Sequence, residues 1–291
     1  MSIALELPTR RNEAWKYSDL RQAVGAEQHV LRDGRDIIER LAPGTQRSVI
    51  ASGEERLFVE RMDDDRHMDA RSFEFSLEPG ASLTRVVIQT GKHLPLSVAR
   101  IHLGARAKYT QFVLAFGGRL ARLETHVSVE GGDAAVTLNG AYLAGSGRHA
   151  DLTSTIVHQA RRTTTRQLIK GVARKGGRGV FQGKIVVERA AQKTDARQYH
   201  RGLLLEDGAE IFAKPELMIH ADDVQCAHGN TAGGLDEQAL FYMRSRGIPA
   251  AQARSLLIEA FLAETIPGSL PEVLQDELTG MIRAWLAGVR S

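Results

Sequence analysis

The chain has 291 residues, 43% of them hydrophobic and 25% charged, with a net charge of only +3. That is enough material for one large domain or two small ones, in the ordinary range for a soluble globular protein. The charge is too small to argue for nucleic acid, and no run of about 18 apolar residues points to a membrane span. One cysteine makes no internal disulfide, and the first twenty residues lack the layout of a signal peptide, so a cytoplasmic location is expected.

In chain order, the pattern first predicts a short helix over 9–22 with Thr9 as its N-cap, then a second over 36–41. Trp15 and Tyr17 cannot face the same side of such a helix, so one is expected to pack and the other to mark a contact. From about Ala42 the sequence changes character. Turn-rich starts at Gly104, Arg119, Gly132, Gly147, Arg162, Gly177, Lys193 and Gly208 are 15, 13, 15, 15, 15, 16 and 15 residues apart. Each unit carries a short alternating stretch rich in Val, Ile, Leu or Thr, the pattern of a strand with one buried face.

A period that steady is the mark of a solenoid, because a 15-residue unit cannot bury its own apolar face and must stack on its neighbours. Two units would form one coil of a right-handed parallel β-helix, the hand favoured for parallel crossovers. An antiparallel sandwich is the rival, but its turns come every 8 to 12 residues or so. The expected organisation is an N-terminal helical segment (1–41), a parallel β-helix (42–230) and a C-terminal helical domain (231–291). The terminal helices are expected to cap the coil ends, which would otherwise expose unpaired strand edges.

Between Leu152 and Val187 no Asp or Glu occurs, against eight Lys or Arg: Arg161, Arg162, Arg166, Lys170, Arg174, Lys175, Arg178 and Lys184. A solvated basic face is the plainer expectation and a docking surface for an acidic partner the sharper one. Without interleaved aromatics, RNA is disfavoured. Gly176, Gly177 and Gly179 read as a turn at a coil corner, not a phosphate loop, since no helix follows.

His220, Asp222, Asp223, Cys226 and His228 crowd into nine residues at the end of the last coil. Thiolate and imidazole suit zinc, iron or copper, but a buried inert cysteine beside a surface histidine is the commoner outcome. Two ligands fall short of a structural zinc site, and a cluster generally needs four, so this chain alone is expected to bind none permanently. No sequence signal announces a Ser-His-Asp site.

Beyond the coils, Asp236 is a plausible N-cap for a helix running through Arg246, with Gly247 as its left-handed C-cap. Pro249 opens a second helix with an apolar stripe of Ala253, Leu256, Leu257, Ala260 and Phe261. A third, from near Pro271, repeats Val273, Leu274, Leu278, Met281, Ile282, Trp285 and Leu286. Both stripes are expected in the core, with a leftover side free for a partner.

The stretches "LPTRRNEAWKYSDL", "QKTDA", "KPEL", "ADDVQCAHG", "MRSRG" and "ARSLLIEAFLAE" together resemble the SufB/SufD family of iron–sulfur cluster assembly proteins, on its SufD side. The match is strong over 162–264, moderate at the N-terminal helix, and carried by the strand-turn pattern between. Chains of this family are often longer, which makes the N-terminal region here abbreviated. The resemblance implies a non-enzymatic scaffold with a right-handed parallel β-helix between helical ends, in the cytoplasm. It also implies pairing with SufB through the β-helix, with a homodimer of the isolated chain left open, and binding of the SufC ATPase through the C-terminal helices. A transient cluster would assemble at the subunit interface, with His228 as this chain's ligand and Cys226 as its companion. The ATPase-binding residues would lie in 241–264: Phe241, Tyr242, Arg244, Arg246, Leu257 and Phe261. Two readings compete: a β-helix enzyme acting on polysaccharide, and a purely structural subunit of the same complex.

Overall fold

The computed structural model describes residues 7–25, 30–64 and 66–288. Fourteen strands follow one another along the chain: β1 (Thr45–Ile50), β2 (Glu55–Met62), β3 (Met68–Leu77), β4 (Ser82–Gln89), β5 (Leu94–Leu103), β6 (Lys108–Ala115) and β7 (Ala121–Val129). Then come β8 (Ala135–Ala144), β9 (His149–His158), β10 (Thr164–Ala173), β11 (Arg178–Val187), β12 (Asp195–Leu204), β13 (Glu210–Ile219) and β14 (Gln225–Gly233). Odd and even strands separate into two seven-stranded parallel sheets, each strand pairing with the one two places on. This is the parallel solenoid that the period implies, with two units per coil; registers advance by 26 residues (Leu96↔Arg122) to 32 (Arg178↔Glu210).

Tight corners make the coil. Between odd and even strands the chain turns through a left-handed residue at Gly53, Gly80, Arg106, Asp133, Arg162 and Lys193, and on the opposite side at Gly117, Gly147, Gly176 and Gly208. Gly176 and Gly177 thus form the corner expected of them, and a Cβ on Gly177 would sit 2.2 Å from the Ala144 carbonyl oxygen. Gly179 acts differently. Together with Gly171 it leaves room inside the coil for the Tyr142 ring, which a Cβ at either position would strike at about 2 Å.

The inward-facing residues of both sheets fill the coil with aliphatic and aromatic side chains such as Phe73, Leu103, Tyr109, Leu138, Ile156 and Ile185. The helical segments do not sit on the coil ends. Leu7, Trp15, Leu20 and Ile38 pack on the outward residues Leu94, Leu96 and Val98 of the odd sheet. Against the even sheet's outer face, Val86, Phe112, Leu143 and Val172 meet Ile258, Leu262, Leu274, Leu278 and Ile282 from the C-terminal helices. The expectation of end caps is therefore corrected: the helices clad the two flat sides, and neither strand of the last coil, β13 or β14, contains a fully buried residue. Apolar side chains on the flat faces needed cover, and the helical segments supply it.

The N-terminal segment also differs from the expected single helix. Residues 13–15 form a 3₁₀ turn, and only Leu20–Val24 (α1) is α-helical, capped by Asp19, whose Oδ1 accepts from Gln22 N at 2.8 Å. The interruption has a tertiary cause: Ser18 is drawn to Asp151 and Trp15 under Arg122. Ile37–Leu41 (α2) with Asp36 as N-cap, and Glu237–Ser245 (α3) with Asp236 as N-cap and Gly247 beyond it at φ 86°, match the sequence reading. In Ala250–Ala263 (α4) the buried face is Ala253, Ile258 and Leu262, and Leu256 is exposed; Pro249 is the N-cap. In Glu272–Leu286 (α5), Val273 is 82% exposed while Leu274, Leu278 and Ile282 are buried.

Inside the coil, His158 has both ring nitrogens within 2.9 Å of threonine hydroxyls, Thr163 and Thr165, and burial pushes its pKa down to about 4. An unfolded histidine takes up its proton near pH 6.5, so folding excludes a proton between there and about pH 4. Stability should therefore fall as pH drops through that window, and His158→Gln should flatten the slope of Tm against pH. Two alanine substitutions test the glycine pocket. Gly171→Ala and Gly179→Ala should each cost about 1–3 kcal/mol or more by overpacking on Tyr142, while Gly145→Ala, which meets nothing within 4 Å, should leave the urea midpoint unchanged.

Candidate functional site at the open coil end

β13 pairs only with β11 and β14 only with β12, so among the described residues the outer edge of each last strand has no strand beside it. Cys226 and His228 stand on β14. Their register partners are Ala196 and Gln198, both fully buried inward residues of β12. Cys226 packs against the interior cluster with Leu217 and Val224. Side chains two apart share a face of a strand, so His228 and Asn230 project from the same side. The last coil thus shows its interior layer to the outside, where the next coil would stack. Cys226 is half-buried and His228 exposed, about 7 Å apart along the strand.

Beneath them lies a polar layer that the sequence reading missed. Asn230 Oδ1 is 2.7 Å from His200 Nδ1, and His200 Nε2 is 2.9 Å from the Tyr142 hydroxyl. The His200 ring stacks on Phe181 with centroids 5.3 Å apart, and burial lowers its pKa. Gln198 donates from Nε2 to Gln167 at 2.8 Å, leaving its buried Oε1 without a partner one strand inside His228. The signal was available. Thirty residues make one coil here, so His228 and Asn230 point back to Gln198 and His200.

Burial pushes the Cys226 thiol up, against a backbone hydrogen bond from Ala196 that lowers it, and nearby Asp195 adds to the rise. Alone, then, Cys226 is a neutral thiol, neither an activated nucleophile nor a preformed ligand. No group of three or more His, Cys, Asp or Glu side chains gathers with metal-holding geometry among the described residues. His220, Asp222 and Asp223 are exposed, and Asp223 is engaged in an ion pair with Lys193.

The six residues expected on the helical side divide into two groups. On α3, Phe241 is 74% and Tyr242 59% exposed; Arg244 and Arg246 are exposed too, and the Arg246 guanidinium lies 5.2 Å from the Tyr242 ring centre. Leu257 is half-buried on α4. Phe261 is packed against the helical core, with Lys170 Nζ 4.4 Å from its ring centre.

Of the eight basic residues in 152–187, three pair with carboxylates of neighbouring coils and a fourth with one beside the C-terminal helices. Arg162 pairs with Asp133, Arg166 with Asp195, Arg178 with Glu210 and Lys170 with Glu264, while Arg174 lies over the Trp285 ring. A Ser, a His and an Asp do meet, at Ser18, His149 and Asp151, but Ser18 donates directly to the carboxylate at 2.5 Å and is fully buried. Asp151 is in turn 2.8 Å from Arg122. This is a clamp between segments, with the hydroxyl and the carboxylate both sealed from solvent.

The described chain is thus a parallel solenoid clad on both flat sides, ending in an unpaired coil that carries a thiol and an imidazole. Comparison with known proteins gives the family. The family model "SUF system FeS cluster assembly, SufBD core domain" matches residues 45–261, and the chain belongs to that family. It is 32% identical over 233 residues to the iron–sulfur cluster assembly protein SufD of Escherichia coli, covering 78% of this chain and 54% of that one. It is 36% identical over 183 residues to Protein ABCI7, chloroplastic, of Arabidopsis thaliana, covering 62% and 38%. A SufBD family protein of Synechocystis is 35% identical over 196 residues, covering 66% and 43%. The chain spans about half the length of these relatives or less. No helix among the described residues is long and apolar enough to cross a membrane.

Cys226 is the only cysteine, so its chemistry can be read by mass. Alkylation by iodoacetamide at pH 7.5 should be slower than that of glutathione and should rise steeply with pH. A rate equal to glutathione's would contradict a thiol held neutral by burial.

Proposed function

We propose that this chain is a non-catalytic scaffold subunit of the SUF iron–sulfur cluster assembly complex, pairing with SufB and binding the SufC ATPase. The observation that carries the reading is the open last coil, with two free strand edges and an interior face bearing Cys226 and His228. Strand addition at such an edge gives affinity through main-chain hydrogen bonds, and the side chains on the exposed face set what is delivered to the seam. His228, exposed and unencumbered by an assigned hydrogen bond, is this chain's ligand to a cluster in assembly. Cys226 plays the supporting part. The cluster is cargo shared across the seam, since a thiol and an imidazole fall short of the four ligands a cluster generally takes. The setting is the cytoplasm.

Docking of the ATPase falls to α3 and the start of α4. Phe241 and Tyr242 are large aromatics left in solvent beside Arg244 and Arg246, the composition that dominates binding energy at interfaces. Leu257 lines the same region, and Phe261 supports it from the core. The polysaccharide-enzyme alternative loses ground because acids and bases on the solenoid are paired to one another across coils. For a purely structural subunit, nothing would require a thiol and an imidazole at the seam.

Co-expression with SufB and SufC tests the parts separately. His228→Ala should leave the complex intact by size exclusion but reduce cluster absorbance after iron and sulfide reconstitution to near background; Cys226→Ser should reduce it less. Wild-type cluster yield in His228→Ala would leave the purely structural reading standing. Phe241→Ala with Tyr242→Ala should weaken retention of SufC by at least about tenfold, as expected of interface aromatics, without lowering pairing with SufB.

A further inference from the structure

The N-terminal segment and the last coil are nearly two hundred residues apart in sequence, yet they touch. Glu13 Oε1 is 2.5 Å from Lys214 Nζ on β13, and the Tyr17 ring stacks on Phe212 of the same strand with centroids 5.2 Å apart and planes at 25°. The Arg178 guanidinium also lies 5.6 Å from the Phe212 ring centre, and Arg178 holds Glu210 at the start of β13. Every one of these contacts is on the outward face of the odd sheet.

The segment making them is itself fixed to deeper coils. Trp15 is buried with the Arg122 guanidinium 4.0 Å from its ring centre, and Arg122 also donates to the Ala14 carbonyl at 2.7 Å. Arg122 is in turn held by Glu124 at 2.6 Å and Asp151 at 2.8 Å, and Ser18 is bonded to Asp151. Burial opposes ionisation of Glu124, but Arg122 and His126 outweigh it and hold its pKa at about 2, so this anchor stays charged through the neutral range. The segment is therefore anchored on β7 and β9, in the buried middle of the solenoid, and reaches outward to β13.

β13 needs such support. It pairs on one side only and has no fully buried residue, whereas its neighbour β11 has seven. A strand in that position is held by one ladder and by whatever presses on its face, and edges of this kind open most readily. Pro215 in its middle removes a ladder donor, a residue type that sheets tolerate at their edges.

We infer that residues Glu13 and Tyr17 position β13 for pairing: the N-terminal segment is a brace that transmits the rigidity of the middle coils to the docking edge. The inference rests on the reading of the last coil as the pairing seam. An edge that is already ordered before the partner arrives loses less freedom on binding, and affinity rises accordingly. Glu13 and Tyr17 touch the outward face of β13 through Phe212 and Lys214, away from the strand β14 that carries Cys226 and His228.

The test uses the full chain with Glu13→Gln, Tyr17→Ala and the double substitution. Amide exchange is followed by mass spectrometry on the isolated chain, and affinity for SufB by titration. The double variant should accelerate exchange in 210–219 while leaving 121–129 and 149–158 at wild-type protection, and should weaken pairing roughly tenfold, the size expected for losing one aromatic pair and one exposed ion pair. The charge exchange Glu13→Lys with Lys214→Glu should recover part of the loss, which a general folding defect would not. Unchanged exchange in 210–219 would overturn the brace, as would faster exchange with undiminished pairing. If the wild-type chain itself fails to bind SufB, the pairing reading falls, and the exchange comparison still decides whether the segment orders β13.

Discussion

The backbone ladder governs this molecule. In a parallel solenoid each strand is satisfied only by the coil before and the coil after it, so the first and last coils carry unmet donors and acceptors that no side-chain packing can remove. Apolar demand is met sideways, by the N-terminal segment on one sheet and α4 and α5 on the other. Ladder demand is met at neither end: among the described residues β1 and β2 at one end and β13 and β14 at the other each have a free edge. Cladding the sides while leaving β13 and β14 unpaired on one edge gives a body that is buried in its middle and open at that tip. The same tip brings the interior layer of the coil, with Cys226, His228 and Asn230, to the surface.

The interior also shows why the layer below the tip is polar. Gln198, Gln167 and Ser154 form one short chain of hydrogen bonds, and Asn230, His200 and Tyr142 another. Buried polar groups are tolerated when partnered, and a stack of coils supplies partners at regular spacing. His200 is held between aromatic faces and bonded through both nitrogens, which fixes Asn230 and leaves His228 as the imidazole free to reach outward. Position on the strand, not residue type, separates the two histidines.

How much of this could be read from the sequence follows from which forces are local. The coils were legible, because a 15-residue period with turn residues at the corners has few other physical outcomes. Cys226 and His228 were legible as a pair for the same reason: they sit at the end of that period. The single N-terminal helix was misread, since its interruption is imposed by Asp151 and Arg122, more than a hundred residues away. The basic stretch was read by charge along the chain alone, whereas the carboxylates Asp133, Asp195 and Glu210 that pair with Arg162, Arg166 and Arg178 belong to the adjacent coils. Val273 and Leu256 fit an apolar stripe but lie at its margin; packing against the sheet kept Leu274 of the expected stripe and added Ile258, which lay outside it.

A neutral thiol beside an exposed imidazole makes chemical sense when the rest of the site comes from elsewhere. Burial raises the Cys226 pKa, and within this chain its nearby charge is Asp195, which raises it further. A thiolate forms readily only where a cation, a metal or a helix N-terminus stabilises it. On the proposed reading, the partner's surface and the iron it helps to hold supply that stabilisation, so ligand formation by Cys226 is tied to assembly of the seam and to proton release. On that reading the two residues play unequal parts, since Cys226 would become a ligand only once the partner has changed the charge around it.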